Sequence, residues 1–356
     1  MSHALWHRVI LWTLFFIICM SLGYPTLNRY DPTAIQGLSD SKAYYALVIG
    51  DPLQADQEYL SHRVLIPYLA KTIYRLANNR IHTWDPTSFA ILVVNSFFSA
   101  TTAFLLVVVG LRIVGDDGAA LIGGFVYLTN FAVSNLNLSG LVDSAVNCLL
   151  MAIVWSLLSE RWWQLALWGF LGAMAKETFV PLAAALAFGW WLTGFRRGAL
   201  RLSQLAWIGA MVALGFAMLT FLMSHVAQPT SPLSFAASMQ SESGSGHLYL
   251  TGLYRCLVAR EFLFTFAWLL PLGVWQFASL PRTWVVGSTC AALAALAMGS
   301  YNDAGGGAAR AVFSALGPLL SFSVSLLLVK IGTRRTLEVN RGKDEPSKTE
   351  ASGPLA

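Results

Sequence analysis

Leu171–Leu182 reads LGAMAKETFVPL, and the folding of this stretch decides how the rest of the chain is laid out. Lys176 and Glu177 stand side by side in a run from Trp162 to Leu192 that is otherwise mostly apolar. A charge inside a membrane span costs about 3 kcal/mol or more, so it faces a cavity and has a partner. The run is either one very long helix or two short helices meeting at the charged pair. One helix would carry Arg196, Arg197 and Arg201 to the side opposite the N-terminus, Arg161, Arg282 and Arg334-Arg335. Two helices put all of these on one side, and short cytoplasmic loops collect Lys and Arg. The charge bias therefore predicts two short helices. Lys176-Glu177 is then recessed at an outward-facing junction, where irregular or charged backbone must line a protein cavity.

The composition agrees with a chain folded in lipid. Of 356 residues, 56% are hydrophobic and only 12% charged, and the mean hydropathy is +0.59. A soluble domain carries about 25% charged residues. Further runs near the roughly 20 apolar residues of a span begin near Arg8, Thr87, Gly118, Ser139, Leu205, Arg260, Thr283 and Ala311. The expected fold is all-α: a polytopic transmembrane helical bundle of about ten helices over residues 1–331, with both termini cytoplasmic. The first run, preceded by a short basic start, could pass for a signal peptide with Ser21-Leu22-Gly23 as a cleavage site; an uncleaved helix is the expectation. The net charge of +5 sits largely in short loops and the C-terminal tail. That distribution speaks for topology and anionic lipid and against nucleic acid. The cysteines, Cys19, Cys148, Cys256 and Cys290, are far apart and suggest apolar filler rather than a disulfide framework.

Two long outer segments are expected, residues 25–86 and 227–259. In the first, RVLIPYLAKTIYRL (Arg63–Leu76) sets Arg63, Lys71 and Arg75 at multiples of four, with Leu65, Leu69, Ile73 and Leu76 on another face. This is an amphipathic helix lying on the membrane. The second contains SESGSG (Ser241–Gly246), a flexible stretch suited to a lid. Residues 332–356 are polar and read as a disordered cytoplasmic tail.

Sorted by side, the outer charges form a candidate constellation: Asp40, Arg63, Asp143, Lys176, Glu177, Arg255, Arg260, Glu261, Asp303 and Arg310. Asp40, in GLSDSKAYYALV (Gly37–Val48), is positioned to cap a helix, and a cap also points a carboxylate into open space. Asp143 opens the fourth span, where the helix dipole favours an acid; Asn135 and Asn137 lie on the same rim, and Asn137-Leu138-Ser139 fits a glycosylation sequon. Adjacent helical residues point about 100° apart. Lys176 and Glu177 should therefore take different partners: an anionic ligand for Lys176, and an arginine such as Arg255 or Arg260 for Glu177. YNDAGGGAARAVFSALGPLL (Tyr301–Leu320) joins Asp303, three glycines and Arg310 ahead of the last span, and glycines let backbone amides approach a ligand. No HExxH, CxxC pair or GxSxG occurs, and His62, His82, His225 and His247 lack metal-ligand spacing. No cofactor and no metal are expected.

The order of these features resembles a family. A first span, an acid early in the first outer loop (SDSKAYY, Ser39–Tyr45), an interfacial HRVLIPYLA (His62–Ala70), a mid-chain AKET (Ala175–Thr178) and an acid-to-arginine stretch before the last helix are similar to bacterial GT-C glycosyltransferases. The resemblance covers the transmembrane part. It implies an integral enzyme of the inner membrane, with its site on the periplasmic side, that moves a sugar from a polyprenyl-phosphate carrier to a lipid-linked or protein acceptor. Asp40 would occupy the position of the family's catalytic acid, with Ser41–Ile49 and Arg63–Leu76 as the surface helices of the first loop. A common family pattern has two adjacent acids; here serines flank Asp40, and Asp143 or Asp303 is left to supply the second carboxylate. Arg63, Lys176, Glu177, Arg255, Arg260, Asp303 and Arg310 would bind substrate, with Lys176 on the carrier phosphate. The alternatives are a lipid-glycan flippase or transporter, which needs no base, and a polymerase or ligase of lipid-linked glycans.

Overall fold

The structure is a computed structural model, and it describes residues 3–29, 39–198, 201–225, 248–301 and 305–344. Every regular element among them is helical. In chain order these are α1 (His3–Arg29), α2 (Ser39–Ile49), α3 (Leu65–Ala77), α4 (Pro86–Val114), α5 (Asp117–Leu128), α6 (Asp143–Leu158), α7 (Gln164–Ala175), α8 (Phe179–Phe195), α9 (Gln204–His225), α10 (Leu248–Val258), α11 (Arg260–Phe266), α12 (Leu269–Val274), α13 (Arg282–Tyr301) and α14 (Gly305–Asp344). Five stretches are long and apolar enough to cross a membrane: Leu5–Leu27, Pro86–Val114, Gln204–His225, Arg282–Tyr301 and Gly307–Thr333. The bent pair Asp117–Leu128 and Ala132–Ser139, broken by 41°, makes a sixth if taken as one span. The chain is a multi-pass helical membrane protein.

α4 is the mast of the bundle. Asp85 caps it by accepting from the Ser88 amide at 2.6 Å, Pro86 occupies its first turn, and Gly115 ends it at φ 72°. These are the start and stop residues a helix requires. In α4 67% of the apolar window is buried and in α14 72%, against 17% in α1 and 28% in α9. The first two therefore form the core, and α1 and α9 turn most of their side chains to lipid. α1, α3, α5 and α6 pack around α4, while α5, α12 and α13 pack on α14.

The charged break in LGAMAKETFVPL separates two helices, as the loop charges predict. α7 ends at Ala175, Lys176 is extended (φ −167°, ψ 141°), and α8 starts at Phe179. Gly169 of α7 lies against Met211 of α9, and Ala173 clusters with Leu219 and Met223, so α7 runs in the direction of α9. α8 runs back: Val180 touches Gly215, and Trp191 donates to the Arg201 carbonyl just ahead of α9. α7 and α8 are thus an antiparallel hairpin with Lys176 and Glu177 at its tip.

Three expectations change. The run from Arg260 is no continuous span: it breaks into α11, α12 and a 3₁₀ turn at Phe277–Ser279. Arg63 is not on the polar face of the amphipathic helix; α3 starts after it, at Leu65, and buries Ile66, Pro67, Ala70 and Ala77. The last helix carries on past its span to Asp344, into the segment read as a disordered tail. Asp303, Ser241–Gly246 and residues 345–356 lie outside the described residues.

Candidate functional site

Six of the sequence-selected residues meet at one end of the bundle. Asp40 enters on the first turn of α2, and three contacts fix that helix. Tyr45 donates to the Asp85 carboxylate at 2.9 Å, the same group that caps α4. The Tyr44 hydroxyl accepts from Arg63 at 2.7 Å. Ser41 abuts Gly140, whose φ of +100° turns the chain into α6 and places Asp143 opposite α2. Ahead of that turn the backbone winds through a π-helical stretch, Ala132–Leu136, and a 3₁₀ turn, Asn137–Ser139. Buried Asn130 steadies it, accepting from the Ala132 amide and donating to the Thr265 carbonyl.

His62 and Arg63 come from the turn between a 3₁₀ helix (Ala55–Leu60) and α3, where the Arg63 amide bonds back to the Leu60 carbonyl at 3.0 Å. Both side chains turn inward. Arg63 grips Glu177 through two nitrogens, at 2.8 and 2.6 Å, and His62 Nε2 lies 2.9 Å from the same carboxylate. Because the backbone is extended at Lys176, the two tip residues leave in different directions. Lys176 Nζ donates to Asp143 Oδ1 at 2.7 Å, and Arg310 Nη1 donates to Asp143 Oδ2 at 2.9 Å. Asp40 joins the two halves of the cluster, with Oδ2 at 3.6 Å from both Arg63 Nη1 and Arg310 Nη2.

Three acids and three bases are thus linked by five ion pairs into one line: Lys176, Asp143, Arg310, Asp40, Arg63 and Glu177. Their formal charges cancel, the condition under which buried ions are tolerated. Asp143 and Lys176 are almost fully buried, whereas the side chains of Asp40 (18%), Glu177 (16%) and Arg310 (15%) remain partly accessible. The open edge of the cluster is therefore Asp40, Arg310 and Glu177. Burial would lower the proton affinity of Arg63, but the Glu177 carboxylate and the Tyr44 hydroxyl outweigh it and hold the guanidinium charged. Burial pushes the Tyr44 phenol up, and it stays protonated as the acceptor for Arg63.

The tip residues do take different partners, although not the expected ones. Lys176 holds Asp143, and Glu177 is held by Arg63 and His62. Arg260 is 82% exposed and pairs with its neighbour Glu261, and Arg255 sits on an exposed part of α10. Asn135 is exposed, whereas Asn137 is only 2% exposed, which removes the sequon as a modification site. His62 and Tyr44 are members of the site that motif reading passed over. His62 has no metal-ligand spacing, and among the described residues no group of three or more His, Cys, Asp or Glu could hold a metal ion. The sequence carries no signal for the burial of the His62-Arg63 pair, which is set by the turn ahead of α3.

No family model, curated protein or solved structure matches this chain.

Proposed function

We propose that the protein is a membrane glycosyltransferase, moving a sugar from a polyprenyl-phosphate carrier to a lipid-linked or protein acceptor, with Asp40 as the base. The observation that carries this reading is the accessible Asp40 carboxylate, 3.6 Å from each of two guanidiniums at the end of a lipid-embedded bundle. Direct displacement needs a base for the acceptor proton and a cation for the leaving phosphate at one edge. The acceptor oxygen bonds to the anomeric carbon as the bond from that carbon to the phosphate oxygen breaks. The acceptor proton passes to Asp40, and the lipid phosphate leaves with the bonding electrons. Arg310, partly exposed and already beside Asp40, is the cation best placed to meet that phosphate. Lys176 is committed to Asp143, so its part is to position Asp143 and, through it, Arg310. In the topology that goes with this reading, about ten helices cross the inner membrane and the cluster faces the periplasm.

The test is a membrane assay with a panel of polyprenyl-phosphate sugars and lipid or peptide acceptors, following free polyprenyl phosphate. The proposal expects release that depends on both donor and acceptor. A second reading, a lipid-glycan transporter, is supported by the internal cancellation of charge, since a self-neutral cluster suits a gate that opens and closes without a base. Movement of labelled lipid-linked glycan across vesicles with no release from any donor would decide for it.

A further inference from the structure

At the far end of the α7–α8 hairpin a second charged feature takes no part in the cluster. α8 runs 17 residues from the tip, about 25 Å at 1.5 Å per residue, and ends in Arg196 and Arg197. Beside it α13 begins at Arg282. The two helices touch backbone to backbone at Gly189 and Gly287, where a Cβ on Gly189 would lie 3.1 Å from the Gly287 Cα. Beyond that contact lies a cleft of about 390 Å³, lined by Leu192, Phe277, Val285 and Val286 together with the three arginines. All three guanidinium-bearing residues are exposed, and none is within ion-pair distance of a described carboxylate. At the same end Trp163 (56% exposed) and Trp275 (78% exposed) project outward, as tryptophans do at the level of lipid headgroups.

We infer that this cleft binds an anionic phospholipid, its phosphodiester on Arg196, Arg197 and Arg282 and its first acyl carbons along Leu192, Val285 and Val286. Three exposed cations, without an ion-pair partner among the described residues, around an apolar-walled cleft at headgroup depth match an anionic lipid in charge and in shape. The site is independent of the transfer chemistry, from which it lies a bundle length away.

The full-length protein in detergent is titrated with phosphatidylglycerol, phosphatidylcholine and glycerol 3-phosphate, reading bound lipid and thermal stability. Phosphatidylglycerol should bind and raise the melting temperature, while the other two leave it unmoved. Arg196→Gln, Arg197→Gln and Arg282→Gln should each weaken phosphatidylglycerol binding about five-fold, from about 1 kcal/mol per cation near the surface. Equal effects of phosphatidylcholine, competition by glycerol 3-phosphate at matched concentration, or unchanged affinity in all three variants would overturn the inference. If the variants fail to fold, the wild type decides by salt, since affinity set by exposed charges must fall as ionic strength rises. Affinity indifferent to salt would also overturn it.

Discussion

Lys176 and Asp143 are each less than a tenth exposed and lie 2.7 Å apart; removing Asp143 deprives Lys176 of the carboxylate it bonds, whereas removing Lys176 leaves Asp143 still held by Arg310. Breaking a buried pair from one side costs about 3–5 kcal/mol. Asp143→Leu should therefore lower stability by that amount and Lys176→Met by less, measured as detergent-solubilised unfolding. The double variant Lys176→Met/Asp143→Leu should lose much less than the sum of the two single losses, because the partners are coupled. Additive losses would mean that the contact carries little energy. The sequence showed that Lys176 and Glu177 needed different partners, because neighbours on a helix diverge. It could not show which partners: Arg63 and Glu177 are more than a hundred positions apart, and Arg255 and Arg260 carry the same charge as Arg63. The choice follows from the turn that points His62 and Arg63 inward, which depends on tertiary packing.

Among the elements, the α7–α8 hairpin was legible because arginine placement reports on how many times the chain crosses. Its turn also depends on a residue without a side chain. A Cβ on Gly172 would fall 2.0 Å from ring atoms of Phe179, which is fully buried and has no room to retreat. Gly172→Ala should thus destabilise the protein by about 1–3 kcal/mol, the usual cost of overpacking, and should displace Lys176 and Glu177 from their partners. The measurement is unfolding in detergent, with Gly209→Ala, which meets nothing within 4 Å, as the tolerated control. Equal behaviour of the two variants would contradict the turn geometry. The break of the run from Arg260 into α11 and α12 was not legible. Both pieces are apolar, and periodicity alone does not reveal a helix that stops and restarts inside an apolar stretch. Nor was the contact legible by which Gly140 sets Ser41, and with it Asp40, against the start of α6.

For the whole molecule, the account sets the ion-pair cluster at one membrane face and the arginine cleft at the other. Gln54, in the loop between α2 and the 3₁₀ helix, and Gly198, after the end of α8, should therefore lie on opposite sides. Cysteines introduced at the two sites should react with a membrane-impermeant reagent from opposite faces, Gln54 from outside; labelling of both from one face would undo the layout. That the chain is membrane-embedded and helical was plain from 56% hydrophobic and 12% charged residues. The convergence of Asp40, Arg63, Asp143, Lys176, Glu177 and Arg310 followed from sorting charges by side. The linking of all six into one neutral line of ion pairs did not, because pairing depends on side-chain geometry. The central claim is that this cluster carries out transfer with Asp40 as base. The direct measurement is acceptor-dependent release of polyprenyl phosphate by Asp40→Asn, with folding and donor binding monitored alongside. The substitution keeps the shape of the side chain and removes proton acceptance. The account predicts intact folding and donor binding with the transfer rate reduced about a hundred- to ten-thousand-fold. A folded Asp40→Asn protein that transfers sugar at a near wild-type rate would contradict it.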